Sequence, residues 1–520
     1  MGVRVAGGTC WLVGDAALQV SVLSTCPTRS PAVPRDAYGV SSLVVLLGVL
    51  TLLRAATVVH LGLDPYVDEA YYWGWAQALD WGYYSKPPLL PVLIAASQAA
   101  FGDGLLALKL PALLLYPVTA LVLRQLGAEL FDSRVGWWAA LAFITLPLVS
   151  GLGLFVSTDA PLLLLWALAM LLAWRLREGG GWPQWAILGG VIGLGLMAKY
   201  TMAAFWGCGV LWLLSMEGGL DRLRRSGPWL ALGVALAVLA PNLWWNAQHG
   251  FPTLVHTAEI TRMSARGWAP DELWEFLLAQ LAALGPVLAV SVLMVLFSVR
   301  RHLADPRHAF LLCFSLPLLI LVALQALTGR ANGNWAAPAV LGLSVLAVAV
   351  LLGLQRRRVL VWAVGCNVAI ATLLYSWPIL VQSLGVELHA GNDPYKRARG
   401  WSALAEAVAP KLTAYPGLTL LSDDREVLAQ LVYALRPERH ARWQADGHVV
   451  DHYGLTVPYG GHISGAVLYL SQRHDPERVL DRFAQVTDLG EISVAVHRNF
   501  HRRLHAWRLD GFLGYPADGE

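Results

Sequence analysis

From residue 40 onward the chain is a succession of apolar runs separated by short polar connections, and this pattern ends near residue 381. A helix needs roughly 20 apolar residues to cross a hydrocarbon core of about 30 Å. Runs of this kind fall near 42–62, 105–123, 135–152, 160–175, 184–198, 201–216, 229–246, 277–299, 309–327, 336–354 and 359–381, giving eleven expected spans. The stretch 184–216 holds two of them in about 50 Å of helix at 1.5 Å per residue, too long for one upright span and short for two full ones. Gly189, Gly190, Gly193 and Gly195 precede Lys199 there, so the expectation is a hairpin of two short helices with Lys199 at the turn.

The charges test that count. One set of alternate loops carries Arg124, Arg134, Arg175, Arg177, Arg222, Arg224, Arg225, Arg300, Arg301, Arg307 and Arg356 to Arg358. The opposite loops hold only Lys86, Lys199, Arg262, Arg266 and Arg330, with Lys109 just inside the second span. The positive-inside rule assigns the first set to the cytoplasm, with the N-terminus inside and the C-terminus outside. Reading 184–216 as one span would move Arg222 to Arg225 to the poorly charged side.

Composition narrows the class further. Of 520 residues, 56% are hydrophobic and 14% charged, against about 25% charged in soluble domains. An ordinary soluble enzyme, a disordered chain and a collagen-like chain are excluded. The net charge of +3 is too small to imply nucleic acid. The five cysteines show no metal-ligand spacing and none lies in the polar last quarter, which argues against disulfides and a cysteine metal site. Residues 1–39 lack the ordered parts of a signal peptide and read either as a disordered cytoplasmic start or as the result of a misplaced start codon. Residues 40–381 read as a transmembrane domain with a long first outer loop, 64–104. Residues 382–520 are polar, with expected strands at 417–422, 467–471 and 492–496 and helices at 424–435 and 476–483, a small extracytoplasmic α/β domain. No internal repeat is evident, which weakens an inverted-repeat transporter.

The chemistry-bearing residues collect on the outer side. Residues 66–84 carry eight aromatics, and Asp68-Glu69 opens a helical stretch there. An aromatic belt with two solvated acids is the plain reading. Asp159, in Ser157-Thr158-Asp159-Ala160-Pro161, suits helix capping as well as catalysis. Lys86, Lys199 and Arg330 read equally as snorkelling cations or as ions facing a cavity, and Arg54 inside the first span raises the same question. Acids suit proton abstraction from a hydroxyl, cations suit a phosphate leaving group, and aromatics suit sugar faces. No glycine motif for a nucleotide appears. No His/Asp/Glu cluster has ligand spacing, so the cofactor stays open, a divalent cation included.

Several motifs resemble a known family. Asp68-Glu69-Ala70-Tyr71-Tyr72, followed by Tyr83-Tyr84-Ser85-Lys86-Pro87-Pro88-Leu89, looks like the first periplasmic loop of bacterial C-type membrane glycosyltransferases. These are relatives of the dolichyl-phosphate-mannose protein mannosyltransferases and of the lipid A aminoarabinose transferase. Ser157-Thr158-Asp159, Ala198-Lys199-Tyr200, Pro241-Asn242-Leu243-Trp244-Trp245-Asn246 and Asn334-Trp335-Ala336-Ala337-Pro338 match in order across residues 40 to about 381. Asp393-Pro394-Tyr395-Lys396 and Ser422-Asp423-Asp424-Arg425 are similar to the periplasmic tail of one branch.

The resemblance implies an α-helical polytopic fold of the GT-C type with about eleven transmembrane helices, in the bacterial inner membrane. It implies transfer of a sugar from a polyprenyl-phosphate donor to a lipid, glycan or protein acceptor on the periplasmic side, with inversion. Asp68 is then the expected base, with Asp159 and Glu69 as further acids. Lys86, Lys199 and Arg330 would neutralise the donor phosphate, and Tyr71, Tyr72, Tyr83, Tyr84 and Tyr200 would contact substrate or lipid. The sequence departs at Ser85, where aminoarabinose transferases often carry glutamate, which argues against the same amino-sugar donor and against a metal ligand there. The alternatives are a flippase for a lipid-linked sugar, which leaves the crowding of acids in one outer loop unexplained, and a scaffold, which leaves Asp68, Asp159 and Lys86 without a role.

Overall fold

The computed structural model describes residues 38–261, 267–445, 447–460, 463–473 and 476–515. The expected cytoplasmic start up to residue 37, the outer cations Arg262 and Arg266, and the C-terminal residue Glu520 lie outside the described residues.

Six described helices are long and apolar enough to cross a membrane singly: Val40–Leu61, Leu105–Leu130, Asp159–Glu178, Ser226–Gln248, Pro306–Thr328 and Arg357–Ser383. A bent pair, Pro270–Leu284 and Pro286–Phe297, makes a seventh, and four shorter apolar helices complete the bundle. The chain is a multi-pass membrane protein.

The bundle departs from the eleven expected spans in identifiable places. The run 277–299 is not one straight helix, because the chain turns by 115° between Leu284 and Pro286. Gly285 sits at φ 78°, which glycine adopts without strain, and Pro286 has no N–H to lose at the first position of the next helix. The run 135–152 breaks at Leu146, ahead of Pro147. Leu89–Phe101, expected as loop, is an apolar helix of 13 residues, below the length of a full span.

The expected hairpin is present. Lys199 is extended (φ −162°, ψ 132°) and ends the helix Trp182–Ala198, after which a single turn leads into Ala204–Leu214. The two arms run back along each other, since Trp185 and Leu213 line one cavity at their far ends. Gly189 and Gly193 let the first arm approach Ser226–Gln248, where Ala231 and Val238 occupy the room a Cβ would need.

The ends of the bundle differ in charge. Arg175 Nε donates to Glu129 at 3.1 Å, Arg307 lies over the Phe131 ring at 5.0 Å, and Arg222 donates to the Arg177 carbonyl. The arginine loops therefore gather at one end, with Asp159 and Lys199 at the other. Arg54 is a structural tie. Its Nη2 donates to the Ile144 carbonyl at 2.6 Å, an acceptor freed where the helix stops ahead of Pro147, and its Nε to Tyr375 at 3.2 Å.

The C-terminal region forms a five-stranded sheet of β1 (Thr419–Ser422), β2 (His440–Arg442), β3 (Val467–Ser471), β4 (Phe483–His497) and β5 (Phe500–Phe512), in the order β2-β1-β3-β5-β4. The first three strands are parallel; β5 runs antiparallel to β3 and β4. The joint to the last membrane helix is polar. Buried Asp393 accepts from Arg399 and pairs with His497, both at 2.9 Å, and Tyr395 donates to the Leu374 carbonyl at 2.7 Å.

This region docks onto the first outer loop. Gln430 donates to the Pro65 carbonyl at 2.8 Å, the Trp401 backbone N–H to Asp64 at 2.7 Å, and Arg436 covers the Trp73 ring at 3.4 Å while pairing with Asp103 at 2.9 Å.

Candidate active site

The two neighbouring acids at the start of helix Val67–Gln77 have opposite fates. Successive helical residues point about 100° apart, so one side chain enters the protein while the next leaves it. Glu69 is the inward one. Its carboxylate takes both 2.6 Å and 2.7 Å bonds from Lys109, accepts the Val156 N–H at 2.7 Å, and closes a capping box on the Tyr66 N–H at 2.8 Å. Glu69 and Lys109 are 1% and 2% exposed. The expectation of a reacting acid at Glu69 meets a carboxylate whose lone pairs are occupied and which does not line the cavity described next.

Asp68 faces that cavity, a space of about 490 Å³. Of the residues singled out from sequence, Asp68, Tyr71, Tyr72, Tyr84, Lys86 and Arg330 line it. Arg425 and Asp451, from the C-terminal domain, line the same space, as do His256 and Glu259 from the helix Pro252–Thr261. Arg425 Nη1 donates to Asp68 at 3.1 Å and the guanidinium lies 5.0 Å over the Tyr71 ring. The Tyr71 hydroxyl accepts the backbone N–H of His452, a second tie between domain and loop.

Lys86 and Arg330 have no carboxylate partner among the described residues. Burial, and then the charge of Lys199, push the Lys86 ammonium down to about 8. Burial and the cations Lys86 and Arg425 push His256 down to about 4, so its imidazole is neutral at pH 7. Tyr84 donates to Glu259 at 3.4 Å, and its phenol is raised by burial and by that acid.

Asp159 and Lys199 form a second layer. Asp159 starts the helix Asp159–Arg175, where the helix dipole favours negative charge. It is 1% exposed, takes 2.8 Å from Lys199 and 2.7 Å from Asn334 Nδ2, and so ties three helix ends together. Its carboxylate does not serve as the helix cap. This pair lies behind the cavity wall, close enough for Lys199 and Asp159 both to act on Lys86.

Tyr83 and Tyr200 do not line the cavity. Tyr83 stacks on Trp75 at 4.7 Å between ring centroids and donates to the Trp75 carbonyl at 3.1 Å. Tyr200 donates to Asn242, which in turn donates to the Trp81 carbonyl at 2.7 Å. Both fix the shape of the loop that presents Lys86. No group of three or more His, Cys, Asp or Glu among the described residues is placed to hold a metal ion.

Sequence reasoning did not single out Asp451, His256 or Glu259, and it named Arg425 only within the motif Ser422-Asp423-Asp424-Arg425, with no role at the site. Arg425 lies 357 positions from Asp68, and nothing local marks it apart from the run Ser422 to Arg425.

A bundle of membrane helices with an acid, a lysine that has no carboxylate partner among the described residues and an aromatic-lined cavity at one end, capped by a small sheet domain, defines a membrane enzyme acting on a lipid-borne substrate. Residues 85–245 match the family described as dolichyl-phosphate-mannose-protein mannosyltransferase. Lipid A galacturonosyltransferase RgtD of Rhizobium johnstonii is 30% identical over 440 residues, covering 83% of this chain and 90% of the relative. An undecaprenyl phosphate-alpha-4-amino-4-deoxy-L-arabinose arabinosyl transferase of Pseudomonas aeruginosa is 25% identical over 51% of this chain and 49% of its own length. The crystal structure of ArnT from Cupriavidus metallidurans bound to undecaprenyl phosphate has the same fold, with a TM-score of 0.61 at 16% identity over 92% of this chain and all of that one. The chain belongs to the bacterial C-type membrane glycosyltransferases. Nothing in these relatives supports the flippase alternative.

Proposed function

We propose that the protein transfers a sugar from a polyprenyl-phosphate carrier to lipid A or a related envelope acceptor, at the periplasmic face of the bacterial inner membrane. The observation that carries this reading is the shared cavity of Asp68 and Lys86 at the membrane edge. Asp68 takes the proton of the acceptor hydroxyl as the oxygen attacks the anomeric carbon. The bond from that carbon to the phosphate oxygen breaks, and polyprenyl phosphate leaves with the electron pair. Lys86 meets the charge that develops on the leaving phosphate. One displacement inverts the anomeric centre. Glu69 is a positioning residue that holds the loop, and the Asp159–Lys199 pair holds the wall behind it.

The same cavity favours a sugar with its own carboxylate. Asp68 faces Arg425, Asp451 lies 2.8 Å from Arg442, and Glu259 accepts from Tyr84 and lies 3.4 Å from His448, which offsets its charge when protonated. Lys86 and Arg330 remain. A sugar phosphodiester carries one negative charge, which Lys86 matches; Arg330 is left for a second anion such as a uronate carboxylate. The galacturonosyltransferase name of the relative RgtD and the serine at position 85 point the same way.

The test is transfer by the purified protein to lipid A, with a polyprenyl-phosphate uronate, a polyprenyl-phosphate amino sugar and a nucleotide uronate as alternative donors. The first is expected to serve. Efficient transfer from the nucleotide sugar without polyprenyl lipid would overturn the carrier, and preference for the amino sugar would overturn the carboxylate assignment alone.

A further inference from the structure

A second cavity lies at the opposite end of the hairpin from Lys199. The helices Asp159–Arg175 and Trp182–Ala198 each have 17 residues, which sets their far ends about 25 Å from the Asp159–Lys199 pair. At that end a space of about 450 Å³ is lined by Arg177, Arg222 and Arg225 together with Trp182 and Trp185. Arg177 has Glu178 at 3.4 Å, whereas Arg225 has no carboxylate partner among the described residues.

The floor of this basic cup continues into an apolar crevice between the two arms of the hairpin. Leu176, Trp185, Leu213 and Pro228 line both spaces. Ile192, Gly209 and Phe314 line the inner part. Each arm of the hairpin has its own packing partner: the first is drawn against Ser226–Gln248 by its glycines, while the second packs on the helices beyond, with Trp212 at 4.9 Å from Phe310.

A soluble anion would use only the cup, and a neutral lipid only the crevice. Both together suit a molecule with an anionic head and an acyl chain, and basic pockets between membrane helices are where anionic headgroups bind. We propose that this is a binding site for an anionic glycerophospholipid, its phosphate held by Arg177, Arg222 and Arg225 and one acyl chain lying between the arms of the hairpin. The site is separate from the catalytic cavity and does not depend on the donor assigned there. By holding the hairpin it links bilayer composition to the element that carries Lys199.

Native mass spectrometry of the full-length protein tests this, with phosphatidylglycerol, phosphatidylcholine, undecaprenyl phosphate and inorganic phosphate as probes. Phosphatidylglycerol is expected to bind in preference to the others. The double variant Arg222→Gln, Arg225→Gln should weaken it about 25-fold, taking roughly fivefold per surface arginine. Gly209→Leu tests the crevice with the arginines untouched, because a Cβ there makes only an ordinary van der Waals contact, 3.9 Å from Phe314, and forces no neighbour to shift. It is expected to weaken phosphatidylglycerol as well and keeps the test alive if the double variant fails to fold. Asp68→Asn should leave this binding unchanged. Equal binding of phosphatidylcholine, or phosphatidylglycerol binding untouched by Gly209→Leu, would overturn the site. Stronger binding of undecaprenyl phosphate that the arginine variant removes would overturn the choice of lipid.

Discussion

Arg425, on the first turn of a helix in the C-terminal domain, donates to Asp68, on the first turn of a helix in the first outer loop, across 3.1 Å. Neither residue has another carboxylate or guanidinium partner among the described residues. Asp68→Asn keeps the size of the side chain and removes the basic oxygen. The rate of transfer is expected to fall roughly 10²- to 10⁴-fold, the usual range for loss of a general base, with the melting profile in detergent little changed. Near-normal turnover would transfer the role of base to another residue.

Arg425→Ala should act differently from Arg425→Lys. The guanidinium orients Asp68 and covers Tyr71, and lysine keeps the charge without the planar fork. Alanine is expected to lower kcat more than it raises KM for the donor. Lysine should recover part of the loss. Equal kcat in all three proteins would reduce the contact to a surface ion pair, worth less than about 1 kcal/mol.

Lys86 is expected to set a pH limit on donor binding. Its ammonium is lowered from 10.5 to about 8, so it is charged below that pH and loses its proton as pH rises through it. Only the charged form holds a phosphate. KM for the polyprenyl donor is therefore expected to climb between pH 7 and 9, with kcat changing less. Lys86→Arg should flatten this limb while shifting the KM at pH 7, because arginine stays charged but differs in geometry. An unchanged alkaline limb in that variant would place the titrating group elsewhere.

Glu69 and Lys109 are predicted to matter for folding and not for proton transfer. Each single change, Glu69→Gln or Lys109→Met, leaves a buried charge without its counter-ion, which costs about 3–5 kcal/mol. Thermal unfolding in detergent should show a large loss for each single variant and a smaller loss for the double variant. A Glu69→Gln protein as stable as the parent but inactive would restore Glu69 as a reacting acid.

What could be read from the residues follows from where the information lies. The apolar runs, the hairpin turning at Lys199 and the placement of arginines depend on local composition, and these appear in the structure. The 115° turn was written in Gly285-Pro286, yet a hydropathy count passes over it because both halves remain apolar. β5 was missed because Arg502, Arg503 and Arg508 interrupt its apolar positions; in the fold Arg502 is buried against Trp401 with its guanidinium 3.8 Å from the ring. Asp68, Lys86 and Asp159 were legible as rare charges on a poorly charged side. Arg425, Asp451, His256 and Glu259 were not, because each joins the cavity only through long-range packing. Tyr83 and Tyr200 look like their neighbours in sequence, and only the loop conformation separates those that line the cavity from those that support it.

The distance along the chain between Asp68 and Arg425 has a consequence for biogenesis. Ribosomes add about 5–20 residues per second, so roughly 20 to 70 s pass between synthesis of one wall of the cavity and synthesis of the other. The membrane helices are inserted in that interval, when the first outer loop is already made but has neither Arg425 nor Asp451 beside it. Until the tail has been made and has folded against that loop, the cavity lacks the wall that carries Arg425 and Asp451, and a stalled or truncated chain leaves an open groove there.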